Sequence, residues 1–173
     1  MTLIEIPAAS FTYGGSLNRG CEAARGDVVV ALSAHAFPKD GQWLTRLAAC
    51  FDNPRVAAAC GATFGPDGSR LRGRIEQDLA IALGNPQWGY SNAAGAFRAD
   101  LWRERRWRED MPGTEDKEWA WHWLHEARLV VVGEDLNTEH DHSKESFALT
   151  YERARREWKG YGMFLDLGPY GVR

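Results

Sequence analysis

The chain has 173 residues, enough for one domain and too few for two of ordinary size. Hydrophobic residues make up 44% and charged residues 26%, so neither a disordered nor a collagen-like chain is expected. The formal charge of −3 lacks the basic surplus of nucleic-acid-binding proteins, so no nucleic-acid partner is predicted.

Cysteine usage and hydropathy bear on the compartment. Cys21, Cys50 and Cys60 are odd in number and widely spaced, which favours buried free thiols over a disulfide framework. The sequence shows neither an apolar run of membrane-spanning length nor a secretory signal pattern. We therefore expect a cytoplasmic protein, with the inner face of the membrane as an alternative placement.

Most of the eight tryptophans are expected in the core.

Strand-like and helix-like segments alternate along the chain, which favours an α/β layered domain. Apolar runs predict strands at residues 3–6, 27–32, 56–63 and 129–132, with 90–97 also extended. The β-branched run at 27–32 indicates a buried central strand. Periodicity and capping residues predict helices at 16–25, 42–50, 70–83, 100–106, 114–127 and 145–161. Gly26 and Thr114 are expected as caps.

Polar side chains fall where open α/β sheets gather their ligands, at the carboxyl ends of strands. Ser33 and His35 follow the predicted strand at 27–32, and Glu115 and Asp116 open a helix after a glycine turn. A carboxylate in such a cleft can act as a general base. Carboxylates also stabilise helix N-termini for structural reasons alone, so capping is the alternative.

His140 and His142 follow the last predicted strand, two residues apart. On an extended chain both imidazoles point the same way, which suits a divalent metal. A solvated polar loop explains the same pattern. Arg and Lys are dense at 98–108 and 144–159, which indicates solvated helix faces, or contact with a phosphate-bearing substrate or an anionic membrane surface.

Four segments occur together in one order. They are F-T-Y-G-G-S-L-N-R-G-C-E-A-A-R-G-D at 11–27, V-V-V-A-L-S-A-H-A-F-P-K-D at 28–40, S-N-A-A-G-A-F-R-A-D-L-W at 91–102, and G-T-E-D-K-E-W-A-W at 113–121, with H-D-H-S beyond. In this order they resemble the family 2 glycosyltransferases, inverting enzymes with the GT-A fold, and specifically the bacterial rhamnosyltransferase-type branch. The resemblance implies an α/β, GT-A-like three-layer sandwich with a mixed central sheet.

The resemblance also implies a reaction, in which a nucleotide-diphosphate sugar gives its sugar to an acceptor hydroxyl with inversion. Asp116 matches the position of the catalytic base, and Glu115 would contact the acceptor or orient the base. The donor and a glycan or lipid-linked acceptor are the expected partners, in cell-envelope polysaccharide synthesis. Peripheral membrane contact and homo-oligomer formation are further expectations.

Relatives hold a divalent metal with a D-x-D motif where this chain has Ser33-Ala34-His35. The resemblance therefore implies Mn²⁺ or Mg²⁺ bound through His35 and His142, with His140 as the less favoured second ligand. Four residues are expected to line the donor or acceptor side: Asn18, Ser33, Asn92 and Trp119.

The chain departs from the family pattern at its start. Relatives begin with strands that bind the nucleobase, and this sequence begins after them, which implies an N-terminal truncation. Gly15 stands where relatives often carry Arg. We expect one domain over 1–173, with 1–64 the remainder of the donor half, 65–143 the acceptor and catalytic half, and 144–173 a C-terminal helix and tail. An incomplete sheet would expose an edge strand and favour self-association.

Two other functions compete with glycosyl transfer. A noncatalytic fragment or accessory module would bind glycan or a partner chain, and the missing first strands favour it. A metal-dependent hydrolase would use His35, Asp116, His140 and His142, but no compact motif such as H-E-x-x-H supports it.

Overall fold

The computed structural model describes residues 2–140 and 146–166. In chain order the helices and strands are α1 (Tyr13–Ala23), β1 (Val28–Leu32), β2 (Ala36–Pro38), α2 (Trp43–Ala49), β3 (Val56–Gly61), β4 (Arg74–Gln77), α3 (Leu79–Gly84), β5 (Ala94–Arg98), α4 (Ala99–Glu104), α5 (Glu115–His125), β6 (Leu129–Gly133), β7 (Thr138–His140) and α6 (Phe147–Tyr161). Short 3-10 turns lie at Ala8–Ser10, Cys50–Asp52 and Glu134–Leu136.

Within these residues the central sheet has the strand order β1-β5-β3-β6-β4. Strands β3 and β6 are parallel, and the other neighbours are antiparallel. Strands β2 and β7 pair separately as a small antiparallel ribbon. The mixed sheet confirms the predicted fold class.

Helices cover both faces of this sheet. Val130 and Val132 of β6 pack into a core with residues of α4 and α5, while Val131 between them joins the core under α2. This alternation is the period-two pattern of a strand buried on both sides. Five of the tryptophans are buried, as expected for core residues: Trp43, Trp102, Trp107, Trp119 and Trp123.

Strand β1 was expected in the centre of the sheet, and that prediction is wrong. It lies at an edge and pairs with β5 alone in the described part of the chain. Val30 and Leu32 are 40% and 49% exposed as a result. A run of β-branched residues signals a strand but carries no information about its position in the sheet.

Two further predictions of secondary structure are corrected. Residues 3–6 form no strand. The predicted helix at 70–83 divides into strand β4 and the short helix α3, after a glycine, Gly73, with φ +71°. The physical reason is the pairing of β4 with β6, since a buried strand must have its backbone groups satisfied on both sides.

The first helix and the start of α5 differ from prediction in their caps. Helix α1 begins early because Thr12 accepts a hydrogen bond from Gly15 N at 2.9 Å, and it ends at Ala23, so Gly26 does not cap it. Thr114 precedes α5 with a left-handed φ of 64° and makes no capping hydrogen bond; its hydroxyl donates to the Gly113 carbonyl.

All three cysteines are free and buried, which confirms that they pack as small apolar groups. Among the described helices, none has the length and apolar character needed to cross a bilayer.

Candidate active site

A cavity of about 300 Å³ opens where β1 ends and α5 begins. Ser33 and His35 line it from the segment after β1, and Asn92 lines it from the turn before β5. Glu115 and Asp116 line it from the first turn of α5. The fold therefore gathers into one cavity five residues predicted from sequence, taken from three distant segments.

Asn92 connects the two carboxylates. Its side-chain Nδ2 donates to Glu115 Oε1 at 3.0 Å, and its backbone N–H donates to Asp116 Oδ2 at 3.0 Å. Asp116 Oδ1 accepts the Lys117 N–H at 2.8 Å. Both carboxylates are over 90% buried, so these hydrogen bonds hold them in position in a site with little water.

Burial and charge together disturb the ionisation of Glu115. Burial, and after it the charge of Asp116, raises the pKa of Glu115 to about 7, while the hydrogen bond from Asn92 acts in the opposite direction. Near neutral pH the Glu115 carboxyl therefore gains and loses a proton beside a second carboxylate.

Helix α6 closes the cavity and presses on the loop before α5. A Cβ on Gly160 would lie 2.1 Å from Thr114 Oγ1 and 2.3 Å from the Gly113 carbonyl oxygen, so only glycine permits this approach. The Tyr161 hydroxyl donates to Gln87 O at 3.4 Å. The C-terminal helix is thus part of the wall that holds the carboxylates.

Asn18 and Trp119 were expected to line a substrate site, and neither lines this cavity. Asn18 is buried, where its amide donates to the Trp107 carbonyl and accepts the Trp102 Nε1–H at 3.0 Å each. Trp119 is fully buried and donates to Arg105 O at 2.7 Å, so its ring cannot stack on a sugar. Both are structural residues because their polar atoms are satisfied inside the core.

Sequence reasoning did not assign several other residues that line the cavity, among them Tyr13, Lys117, Arg153, Arg156 and Tyr161. The Arg156 guanidinium lies 5.6 Å from the Tyr13 ring centroid, which ties α6 to the start of α1. A basic helix was predicted at 145–161, but no local signal in its sequence indicated that it lies across the cavity.

A family model for glycosyl transferase family 2 matches residues 3–126, which is most of the chain. The chain belongs to glycosyl transferase family 2. The matched segment includes both carboxylates, Asn92, Ser33 and His35, and it stops before α6. No curated protein sequence matches this chain.

Among solved structures, a mannosyltransferase from Pyrobaculum calidifontis, in complex with GDP-Man and Mn²⁺, superposes with a TM-score of 0.66 at 17% sequence identity. The match covers 90% of this chain and 44% of that enzyme, so the chain spans less than half of its length. This family 2 chain therefore has the GT-A fold.

His35, His142 and the less favoured His140 are the predicted metal ligands of this chain, and the structure describes part of that set. His35 lines the cavity, and Ala36 pairs with His140 in the β2–β7 ribbon, which brings the two backbone segments together. His142 lies outside the described residues. Among the side chains that the structure describes, no three of His, Cys, Asp or Glu group as a metal site. The donor set of the predicted metal site, and of the alternative hydrolase site, is therefore incomplete in the described residues.

Proposed function

We propose that this chain transfers a sugar from a nucleotide-diphosphate sugar to an acceptor hydroxyl with inversion, and that Asp116 is the general base. One observation supports it above the others. In a family 2 chain, Asp116 and Glu115 stand together at the wall of a cavity, buried and held by Asn92.

The chemistry asked of Asp116 fits its surroundings. Each of its oxygens accepts one backbone N–H and retains a second acceptor site for a substrate hydroxyl. Asp116 would take the proton of the acceptor as the acceptor oxygen bonds to the anomeric carbon. The bond from that carbon to the diphosphate breaks, and the nucleoside diphosphate leaves with the electron pair. Attack opposite the leaving group inverts the configuration.

Glu115 would act beside the base. Its raised pKa, about 7, lets it keep a proton at neutral pH, so it can donate a hydrogen bond to an acceptor oxygen rather than compete for the proton. Asn92, which was expected to contact substrate, would instead position both carboxylates, since its side chain and backbone are committed to them.

The metal remains part of the proposal. His35 supports it by its place in the cavity, and His142 is the predicted second ligand. When bound, Mn²⁺ or Mg²⁺ would compensate the negative charge of the leaving diphosphate. Ser33, beside His35 in the cavity wall, would contact the donor.

Calorimetric titration of the chain with UDP, dTDP and GDP, each with and without Mn²⁺, tests donor binding. We expect binding of one nucleotide that depends on the metal. Preference for dTDP would support the rhamnosyltransferase-type branch. Preference for GDP would support a donor like the GDP-Man of the structural neighbour. Absence of binding to all three would contradict the proposal for this chain.

Asp116→Asn tests the base. We expect kcat to fall by at least about a hundredfold, the usual contribution of a general base, with nucleotide affinity unchanged. In this variant the new NH2 group would oppose one of the two backbone N–H groups that now donate to Asp116, which is destabilising. Thermal unfolding therefore checks that the variant keeps its fold. A variant that folds and transfers sugar at the normal rate would exclude Asp116.

A second candidate is an accessory module that binds glycan or a partner chain without catalysis. The edge position of β1 favours it, because a second chain could add a strand there. Glycan binding with no nucleotide binding in the same titration would support this candidate over the transferase.

A further inference from the structure

The basic residues of helix α6 do not all face the same way. Arg155 is exposed and pairs with Glu152 at 2.9 Å, whereas Arg153 and Arg156 line the cavity. Residues three positions apart lie on the same side of a helix, and adjacent residues do not. The sequence left open whether this basic segment is solvated or meets a phosphate-bearing substrate. The fold separates the two cases, because it turns Arg155 to solvent and Arg153 and Arg156 to the site.

Helix α6 crosses the cavity from one wall to the other. At one end Gly160 lies against Gly113 and Thr114, directly before the proposed base on α5. Arg156 lies about one turn earlier on α6, which is about 5.4 Å along the helix axis. There its guanidinium lies 5.6 Å from the ring centroid of Tyr13, in the first turn of α1. Arg156 is therefore held at the α1 wall, and the carboxylates stand at the α5 wall.

Arg156 carries a charge that no carboxylate of the described residues neutralises in an ion pair. Its contact with the face of the Tyr13 ring leaves the N–H donors of the guanidinium available. Glu157 also lines the cavity, but it is adjacent to Arg156 on the helix and does not face it. Lys117, another cation of the wall, donates to the Gly89 carbonyl at 3.2 Å. Arg156 is therefore a cation that an anionic ligand in the cavity can reach.

We infer that Arg156 binds the diphosphate of the sugar donor, at the phosphate that carries the sugar. This inference rests on the proposed function, which brings a diphosphate into this cavity. Displacement with inversion needs the base and the leaving group on opposite sides of the anomeric carbon. Asp116 stands at the α5 wall and Arg156 at the α1 wall, which is the arrangement that this displacement requires. The family match ends at residue 126, so this cation comes from a helix outside the matched segment.

The role of Arg156 in the transfer is to hold the charge that develops on the leaving group. As the acceptor oxygen bonds to the anomeric carbon and gives its proton to Asp116, the bond from that carbon to the diphosphate oxygen breaks. The diphosphate oxygen keeps the electron pair and gains a full negative charge. The guanidinium stays protonated throughout, and its hydrogen bonds to the phosphate strengthen as this charge develops.

Calorimetric titration of the full chain in the presence of Mn²⁺ compares UDP, dTDP and GDP with UMP, dTMP and GMP. The monophosphates lack the phosphate that carries the sugar in the donor. Arg156→Gln removes the charge and keeps a polar side chain. We expect this variant to bind the preferred nucleoside diphosphate about tenfold more weakly than the wild type, and the matching monophosphate less than about threefold more weakly.

Arg155→Gln is the matched control, because it makes the same change one position away on the solvent side of α6. It should bind both kinds of nucleotide like the wild type. Arg156→Lys should recover part of the lost affinity, since it keeps the charge but not the planar fork of the guanidinium. Thermal unfolding checks that the three variants keep their fold.

The inference is overturned if Arg156→Gln binds the nucleoside diphosphate as tightly as the wild type, or if Arg155→Gln loses as much affinity. Equal losses for the diphosphate and the monophosphate would also overturn it. Unchanged nucleotide affinity with a raised KM for the acceptor would assign Arg156 to the acceptor instead. If the wild type itself binds none of these nucleotides, the proposed function fails together with the inference.

Discussion

Glu115 offers the sharpest test of the site, because its environment predicts both the sign and the size of an effect on stability. The folded chain ionises Glu115 at a pKa of about 7, against an ordinary value of 4.5. The folded state therefore binds this proton more tightly than the unfolded state, and the free energy of unfolding falls as pH rises between these two values. The whole difference corresponds to about 3 kcal/mol, lost above about pH 7.

Glu115→Gln removes the charge and keeps an oxygen that can accept the Asn92 hydrogen bond. We expect the variant to be up to about 3 kcal/mol more stable than the wild type near pH 8, and nearly equal to it near pH 4. Urea unfolding of both proteins across this range measures the difference directly. Glu76→Gln, on the exposed side of β4, is the control and should show no such pH-dependent gain.

The reasoning is refuted if Glu115→Gln is less stable than the wild type near pH 8, or if its gain does not change with pH. The first result would mean that the carboxylate is better stabilised by its neighbours than by water. The second would mean that the effect comes from packing. A gain in stability with a loss of transfer would match the usual conflict between stability and function at active sites.

Three other substitutions test the structural roles assigned above. Asn18→Ala should lower the free energy of unfolding by about 2–4 kcal/mol, because it leaves the Trp102 indole N–H and the Trp107 backbone N–H, both buried, without their acceptor. A loss below about 0.5 kcal/mol in urea unfolding would contradict that role. Gly160→Ala should lower it by about 1–3 kcal/mol through the clash with Thr114, whereas Gly20→Ala, in open space on α1, should be neutral or stabilising. Leu32→Lys on the edge of β1 should weaken self-association in sedimentation velocity, and the same association constant as the wild type would exclude this edge.

Local patterns predicted those parts of the fold that local interactions decide. The buried strand β6 and helix α5 were predicted almost to their ends, because an apolar run and an acidic first turn are features of a few neighbouring residues. The two carboxylates were predicted from their place at the head of a helix after a glycine turn, and the resemblance of 113–121 to a family motif supplied their roles. The fold brings them together with Ser33 and His35. Their catalytic roles remain predictions.

The rest depended on partners far away in sequence. Leu71 and Ile75 have helical spacing in the segment at 70–83. Part of this segment forms strand β4 instead, because it pairs with the side of β6 that β3 leaves free. Asn18 has the polarity of a binding residue, but its partners are tryptophans more than 80 positions away. The position of α6 over the cavity depends on Gly160, because a Cβ there would clash with Thr114. The sequence around Gly160 does not reveal this contact, since Thr114 lies far away along the chain.

The edge of β1 also has a consequence for the time scale on which its backbone exchanges hydrogen with solvent. Ser33 N–H donates to Ala93 O at 2.8 Å, and in an antiparallel ladder such hydrogen-bonded positions recur at every second residue. The amides of Val28, Val30 and Leu32 therefore point away from β5, and their deuterium uptake should be rapid while that of the residues between them is slow. A strand that pairs with the free side of β1 would form hydrogen bonds with these three amides and slow their hydrogen exchange. Their exchange rates therefore report, for each of the three residues, whether a partner strand has bound.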